Sequence, residues 1–334
     1  MPVTVPKVKN WLLLWDYWVE WVNWTMDEQT ALVLALHGAL LLYLLCKIKA
    51  GNGSELSDGA PGAGKPILVT CCDNAFGLQI AIHFANRGFR VFAGLKDGAA
   101  SGSSDDSISS RVIRAWQKHR ESVQGPGALV ALPFDVTRED LLHEAVDIIR
   151  AHLPAGEDGM WAVVNTSGLS YRGRLDQQDI AHWDAMLKTN VVGILRTARK
   201  FQNLLRNAGG RIITVGATDN LGAGLVAYAA SRYAVEGASN ALRQELSPMG
   251  IKIITINPQG IPPEKLFVVP KLKEKEDHEV TSVEIGDFLE YLPVLLTPCA
   301  LRILDIAITT RTPKYNYNLQ EKLWWKPLQM LKIV

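Results

Sequence analysis

The sequence predicts an α/β chain, a doubly wound parallel sheet preceded by N-terminal membrane-associated helices. Three observations predict it. From Pro66 onward, short β-forming runs alternate with longer stretches of helical periodicity, the rhythm of parallel strands joined by crossover helices. The first strand–helix junction is a tight polar loop, which aims backbone N–H groups and a helix N-terminus at an anion. Residues 30–46 form a run of seventeen residues without a formal charge, set apart by a Gly-rich linker.

The elements follow in order. Residues 1–50 read as a membrane-associated segment. The stretch 11–24 carries five tryptophans, with Asp16, Glu20 and Asn23 at helical spacing, and reads as an interfacial helix or the first arm of a hairpin. The uncharged run 30–46 is at the short end of what spans a bilayer. Asp27 and Glu28 precede it and Lys47 and Lys49 follow, so the positive-inside rule puts the rest of the chain on the cytoplasmic side. His37, mid-run, reads as a neutral imidazole facing a neighbouring helix. Residues 51–65 read as a flexible linker, and 66–334 as the folded domain.

Within that domain, 66–70 (PILVT) reads as a buried strand and CCDNAFG as its loop, followed by a helix. A strand at 90–95 comes next, and the Gly/Ser-rich 97–110 reads as a mobile insertion. Helices are expected at 111–122, 138–153, 181–207 and 225–247. Strands are expected at 128–134, 160–165, 211–216 and 251–256. Asp97 lies where an acidic residue would meet an adenosine ribose. Lys96 beside it would instead favour a 2′-phosphate.

The chain carries 35 basic and 34 acidic residues, a net charge of +1, and offers no reason to expect a nucleic-acid partner. None of the four cysteines, Cys46, Cys71, Cys72 and Cys299, has metal-ligand spacing; all four read as small buried hydrophobes in a reducing compartment.

The motifs resemble the short-chain dehydrogenase/reductase superfamily, whose domain is of Rossmann type. The resemblance runs from about Pro66 to the C-terminus and is strongest to the branch of retinol, hydroxysteroid and 3-hydroxybutyrate dehydrogenases. Its first loop corresponds to Thr70, Cys71, Cys72, Asp73, Asn74, Ala75, Phe76 and Gly77. Its D-V-T is Asp135-Val136-Thr137, its NNAG is Asn165-Thr166-Ser167-Gly168, and its helix asparagine is Asn190. Its Y-x-x-x-K is Tyr228 to Arg232, and its PG turn is Pro258-Gln259-Gly260. The tail from 312 also resembles that branch. The resemblance implies NAD or NADP held by Thr70, Cys71, Asn74, Phe76, Gly77, Asp97, Asp135, Val136, Asn165, Gly168, Pro258 and Gly260, together with Tyr228 and Arg232. It implies Tyr228 as general acid/base, Arg232 as the cation that favours the phenolate, and Asn190 as holder of a water relay. It implies no metal, a lipophilic sterol, steroid or retinoid substrate covered by apolar residues within 266–296, an endoplasmic-reticulum membrane location, and a homodimer through helices 181–207 and 225–247. The altered motifs also resemble the ecdysteroid-pathway members of arthropods.

Departures from the pattern carry their own expectations. The family serine that binds the substrate carbonyl is missing at 215–218, with Gly216 near its place; Thr214 or Thr218 could substitute only in a reshaped loop. Arg232 replaces a lysine, a non-conservative swap at a tight site. Cys71 and Ala75 replace glycines that permit positive φ or close approach, so cofactor binding is expected to be weakened. These changes leave two functions open. One is a membrane-anchored oxidoreductase; the other is a catalytically impaired protein that binds lipid or acts as a scaffold.

Overall fold

The computed structural model describes residues 36–41, 43, 62, 64–96, 107–153, 156–217, 222–270 and 294–319. The Trp-rich stretch, most of the 30–46 run, most of the linker, Asp97, Thr218, residues 271–293 and the tail from 320 lie outside these residues. The chain divides into two units, Met1–Glu55 and Leu56–Val334. In the first, 36–41 and 43 are helical. Among the described residues no helix is long and apolar enough to cross a membrane.

The second unit holds a seven-stranded sheet with every pair parallel. Its elements are β1 (Pro66–Val69), α1 (Ala75–Asn86), β2 (Arg90–Leu95), α2 (Ile108–Val123), β3 (Ala128–Pro133), α3 (Glu139–Ala151), β4 (Ala162–Asn165), α4 (Ile180–Leu187), α5 (Gly193–Asn207), β5 (Arg211–Val215), α6 (Val226–Leu246), β6 (Lys252–Asn257), α7 (Pro263–Leu266), α8 (Pro298–Thr309) and β7 (Asn316–Asn318). The strand order is β3-β2-β1-β4-β5-β6-β7. It changes direction between β1 and β4, so the loops after those strands part there and leave a crevice.

Successive strand side chains point to opposite faces. Ile67 and Val69 pack with Phe76, Phe84, Trp116 and Leu304 on the face covered by α1, α2 and α8. Leu68 joins Phe92, Phe201, Leu205 and Ile253 on the other face. Neither face is open to water, which is why the strands read as continuous apolar runs rather than alternating ones.

Four expectations change. The fold begins before Pro66. Gly62 N–H donates to the Arg87 carbonyl at 3.0 Å and Gly64 N–H to the Gly88 carbonyl at 2.9 Å, which ties the end of the linker to the α1–β2 turn. The insertion ends early, because the Ser107 side chain accepts from Ser110 N and starts α2 at Ile108. The helix expected over 181–207 is interrupted. A π-helical turn, Lys188–Val192, separates α4 from α5, and an inserted residue of this kind often marks a functional position. Gly193 follows it, where a Cβ would overlap Val136. Finally, α7, α8 and β7 lie beyond the predicted elements. Thr297 caps α8 by accepting from Ala300 N, with Pro298 in the first turn, a start signal visible in the sequence.

At the N-terminal end of β5, Arg211 is fully buried. Its Nη1 donates to the Ala307 and Thr310 carbonyls, each at 2.9 Å, and its guanidinium lies 4.5 Å over the Trp161 ring. It thereby caps the C-terminal end of α8. Burial pulls its pKa down to about 10.

Candidate active site

The candidate residues gather at the C-terminal ends of the strands. Thr70, Cys71, Asn74, Phe76 and Gly77 lie on the β1–α1 loop and first turn. Asp135 and Val136 follow β3, Asn165 and Gly168 close and follow β4, and Pro258 and Gly260 follow β6. Asn190 lies in the π turn, and Tyr228 and Arg232 lie one turn apart on α6. Asp97 and Thr218 are outside the described residues.

The β1–α1 loop is built by short polar side chains. Asn74 caps α1, accepting from Gly77 N at 2.6 Å, and donates from Nδ2 to the Thr166 carbonyl at 3.1 Å. Thr166 Oγ1 accepts from Cys71 N at 3.2 Å and donates to the Cys71 carbonyl at 3.0 Å. Thr70 Oγ1 accepts from Thr166 N at 3.2 Å and pairs with Ser167 Oγ at 2.8 Å. Thr166 and Ser167, which are not among the expected site residues, therefore tie the loops after β1 and β4 across the crevice. Their hydroxyls beside an otherwise apolar strand end were the signal in the sequence.

The altered glycines behave differently from expectation. Among the described non-glycine residues only Gln124 has positive φ, so neither Cys71 nor Ala75 is strained. Ala75 is simply the first residue of α1. The position that requires glycine is Gly77, where a Cβ would overlap the Cys71 carbonyl. Phe76 is fully buried in the core, so its ring packs under the loop and does not face a ligand. Of the cysteines, Cys72 is buried but Cys71 and Cys299 are only half-buried, and Cys46 lies outside the described residues. Burial, with the Asp73 charge second, pushes the Cys71 thiol up to about 12, so it is a neutral thiol at physiological pH.

A cavity of about 30 Å³ lies between the loops after β1, β3 and β4, lined in part by Cys71, Lys96, Asp135, Val136 and Gly168. Asp135 Oδ1 accepts from both Thr137 N and Thr137 Oγ1 at 2.8 Å, which fixes the carboxylate at its rim.

Tyr228 and Arg232 are both fully buried. The Arg232 guanidinium lies 5.2 Å from the Tyr228 ring centre and 4.8 Å from that of Phe267. Its Nη1 donates to the Val215 carbonyl at 3.2 Å, at the C-terminal end of β5. Tyr228 Oη, Arg232 Nε and Nη2, and both side-chain polar atoms of Asn165 have no hydrogen-bond partner among the described residues. Buried polar groups are nearly always satisfied, so such a cluster at a strand-end crevice calls for a polar ligand. A dinucleotide fits. Its ribose hydroxyls offer acceptors to the orphaned Arg232 donors, and the glycine at 77 leaves the loop tight enough to approach a phosphate.

Asn190 is engaged throughout. Oδ1 accepts from Leu169 N at 2.8 Å, while Nδ2 donates to the Leu169 carbonyl at 3.0 Å and to Ser231 Oγ at 2.9 Å. Ser231 in turn donates to the Tyr228 carbonyl at 2.7 Å. The side chain thus ties the loop after β4 to the helix that carries Tyr228.

The missing hydroxyl is not replaced by Thr214, whose Oγ1 is buried against Ser239 Oγ and the Ile254 carbonyl. Nor can Gly216 carry one. A Cβ there would overlap Thr255 Cγ2 and Asn257 Oδ1.

Residues 65–266 match the short chain dehydrogenase family. The chain is 28% identical to mitochondrial D-beta-hydroxybutyrate dehydrogenase of Rattus norvegicus over 298 residues, 82% of each chain. It is 31% identical to estradiol 17-beta-dehydrogenase 2 of Mus musculus, over 66% of this chain and 54% of that one. It is 29% identical to retinol dehydrogenase 16 of Mus musculus, over 58% of this chain and 56% of that one. Among solved structures, a metagenomic short-chain oxidoreductase in complex with NADP has the same fold at 17% identity. Its TM-score is 0.56, over 79% of this chain and 100% of that one.

Proposed function

The chain belongs to the short chain dehydrogenase family, and on that premise we propose that it is a nicotinamide-dependent oxidoreductase interconverting a hydroxyl and a ketone on a lipophilic substrate. The observation that carries the reading is the buried Tyr228–Arg232 pair with its orphaned polar atoms. Tyr228 Oη donates a proton to the carbonyl oxygen in reduction and accepts one from the alcohol in oxidation. Arg232 holds a fixed positive charge over the same ring, which compensates negative charge as it develops on the phenolic oxygen. Asn190 is a positioning residue, acting through Ser231 and the Tyr228 backbone. Arg232 and Asn165 would hold the cofactor's nicotinamide ribose, and Asp135, Val136 and the β1–α1 loop its adenosine and phosphates. When bound, NAD or NADP supplies the hydride chemistry.

The estradiol and retinol enzymes among its relatives support a lipophilic substrate, and the resemblance to the arthropod ecdysteroid-pathway member Shroud puts an ecdysteroid precursor first among those to assay. The uncharged run 30–46 supports a membrane tether, in the endoplasmic reticulum with the catalytic domain facing the cytoplasm, giving access to substrate dissolved in lipid. Exposed Leu187 on α4, Val192 in the π turn, Leu195 on α5, and Val226 and Tyr233 on α6 support a homodimer through these helices.

A second reading, an impaired enzyme acting as a lipid-binding or scaffolding protein, is favoured by the overlap that bars a hydroxyl at Gly216 and by the burial of Tyr228. Nicotinamide fluorescence on titration with NADH and NADPH separates the two. The oxidoreductase reading expects saturable binding; no saturation up to about millimolar cofactor, the upper end of ordinary enzyme affinities, overturns it.

A further inference from the structure

We propose that Ser170 supplies the hydroxyl that residues 215–217 lack, donating to the substrate's carbonyl oxygen beside Tyr228. The proposal rests on the oxidoreductase reading and deepens it by completing the site. Reduction is served by two donors at that oxygen. One gives up a proton, and the other holds the charge while it develops. Tyr228 is the first.

Among the described residues, the buried hydroxyls of Tyr228, Ser170 and Ser109 have no hydrogen-bond partner. Ser109 is on α2, which packs on β3 and α1. Ser170 is in the loop after β4, the loop that Asn190 ties to α6. Other hydroxyls around the crevice are engaged: Thr70 with Ser167, Thr166 with the Cys71 backbone, Thr214 with Ser239, and Ser231 with Asn190 and the Tyr228 carbonyl. A loop serine ordinarily turns its hydroxyl onto nearby backbone. That of Ser170 does not, and a buried polar group without a partner calls for a ligand.

The loop presents this hydroxyl at Tyr228. Two residues earlier, Gly168 lies against Arg232 Nη2 and Phe267, where a Cβ would overlap both. Leu169 and Tyr171, on either side of Ser170, pack into the cluster of Met186, Leu225 and Tyr228. The loop is also held still. Asn190 accepts from Leu169 N at 2.8 Å and donates to its carbonyl at 3.0 Å. The Tyr171 carbonyl accepts from Gln178 Nε2 at 2.8 Å, and its ring stacks on His182 of α4 at 4.2 Å. Arg172 Nε donates to Glu264 Oε1 at 2.6 Å, and Nη1 to the Ala223 carbonyl at 2.7 Å. Residues on both sides of Ser170 are thus fastened by the π turn, α4 and α7. A donor on a fixed backbone needs no reorganisation when charge develops in front of it.

In reduction the carbonyl carbon takes hydride from the reduced nicotinamide, and the π pair of the C=O bond moves onto oxygen. Tyr228 Oη gives that oxygen its proton. Ser170 Oγ donates a hydrogen bond to the same oxygen and keeps its own proton. Arg232, over the tyrosine ring, balances the phenolate left behind. None of this needs a hydroxyl at 216, where overlap with Thr255 and Asn257 bars one.

The test compares the full chain as wild type, Ser170→Ala and Ser170→Thr. Cofactor binding is followed by nicotinamide fluorescence and folding by thermal unfolding. Reduction of androstenedione, retinal and phenanthrenequinone is measured at steady state with NADPH and with NADH. The proposal expects Ser170→Ala to lower kcat by about 10² to 10³-fold, the effect of removing one donor from a developing oxyanion. Its cofactor affinity and Tm should match wild type, because the hydroxyl removed has no partner among the described residues. Ser170→Thr keeps a hydroxyl and should stay within about tenfold of wild type. Turnover by Ser170→Ala equal to wild type, or an equal loss in both variants, overturns the proposal and leaves the oxidoreductase reading standing. So does a loss in Ser170→Ala that comes with weaker cofactor binding or a lower Tm, the mark of a structural residue. Cofactor binding by wild type without reduction of any of these carbonyl compounds overturns the proposal alone. No cofactor binding overturns both.

Discussion

The two ends of β5 each meet a buried arginine, Arg211 on the strand itself and Arg232 on α6, and the two do opposite things. Arg211 starts the strand and Arg232 donates to the carbonyl of Val215 at its end. Both are fully buried, both lie over aromatic rings, and both leave Nε and Nη2 without a partner among the described residues. Arg211, however, meets two carbonyls at the C-terminal end of α8, whose orphan acceptors it satisfies. Arg232 meets one, and its other neighbours are the rings of Phe267 and of Tyr228, whose hydroxyl has no partner among the described residues. Burial of a charge therefore does not by itself mark a site. The neighbours decide whether it fastens the fold or waits for a ligand.

The largest effect expected from breaking this comparison is at Tyr228. Tyr228→Phe should lower turnover by about 10² to 10⁴-fold through loss of the proton donor. Its melting temperature should not fall, because the hydroxyl removed has no partner among the described residues. Steady-state assays with an ecdysteroid precursor, a retinoid and a steroid, paired with thermal unfolding, check both halves.

Replacing each arginine by methionine sharpens the contrast. Arg232→Met should cost about 10²-fold in kcat/KM and destabilise less than Arg211→Met, since it gives up one carbonyl hydrogen bond where Arg211 gives up two. Arg211→Met should leave kcat unchanged and destabilise by about 2–3 kcal/mol, because it strips a helix end of its donor and Trp161 of its cation. For a domain of this size that is a fall of about 5–10 °C in Tm. Equal behaviour of the two variants in both assays would erase the distinction.

Gly216→Ser tests whether the missing hydroxyl can be restored where the motif alignment places it. The overlap with Thr255 and Asn257 predicts no gain in turnover and a loss of about 1–3 kcal/mol in chemical denaturation.

The smallest effect is at the ion pair between Arg172 and Glu264. The Arg172 guanidinium holds the Glu264 carboxyl below its ordinary range. A carboxylate depressed in the folded state contributes stability above its unfolded pKa and loses it as pH falls through the folded one. Glu264→Gln should therefore differ from wild type at pH 7 and converge with it as the pH drops below the glutamate range. Both partners are partly exposed, so the difference should stay under about 1 kcal/mol in Tm measurements across pH 3–7.

Much of this was legible in the chain itself. The strands from β1 to β6 announce themselves because both faces of the sheet are covered and only apolar β-formers suit them. Asn74, Asn190, Tyr228 and Arg232 were legible because motif spacing on a helix or tight loop fixes which side chains can meet. The break at Lys188–Val192 was not, because a π turn has no residue signature; within it Asn190 reaches both Leu169 and Ser231, partners distant in the chain. The fate of Phe76 was also hidden. Sequence position places it in the loop, and only packing against the sheet sends its ring into the core.

The sequence by itself determined the family, the α/β order and the residues that could do chemistry, because these depend on local periodicity and short spacing. Only the tertiary structure decided which polar atoms are left without partners, why no hydroxyl fits at Gly216, and that Phe267, about forty residues from Tyr228 along the chain, packs beside it. Those outcomes depend on which distant segments share one crevice. Volume and hydrogen-bond satisfaction there are set by all of them together.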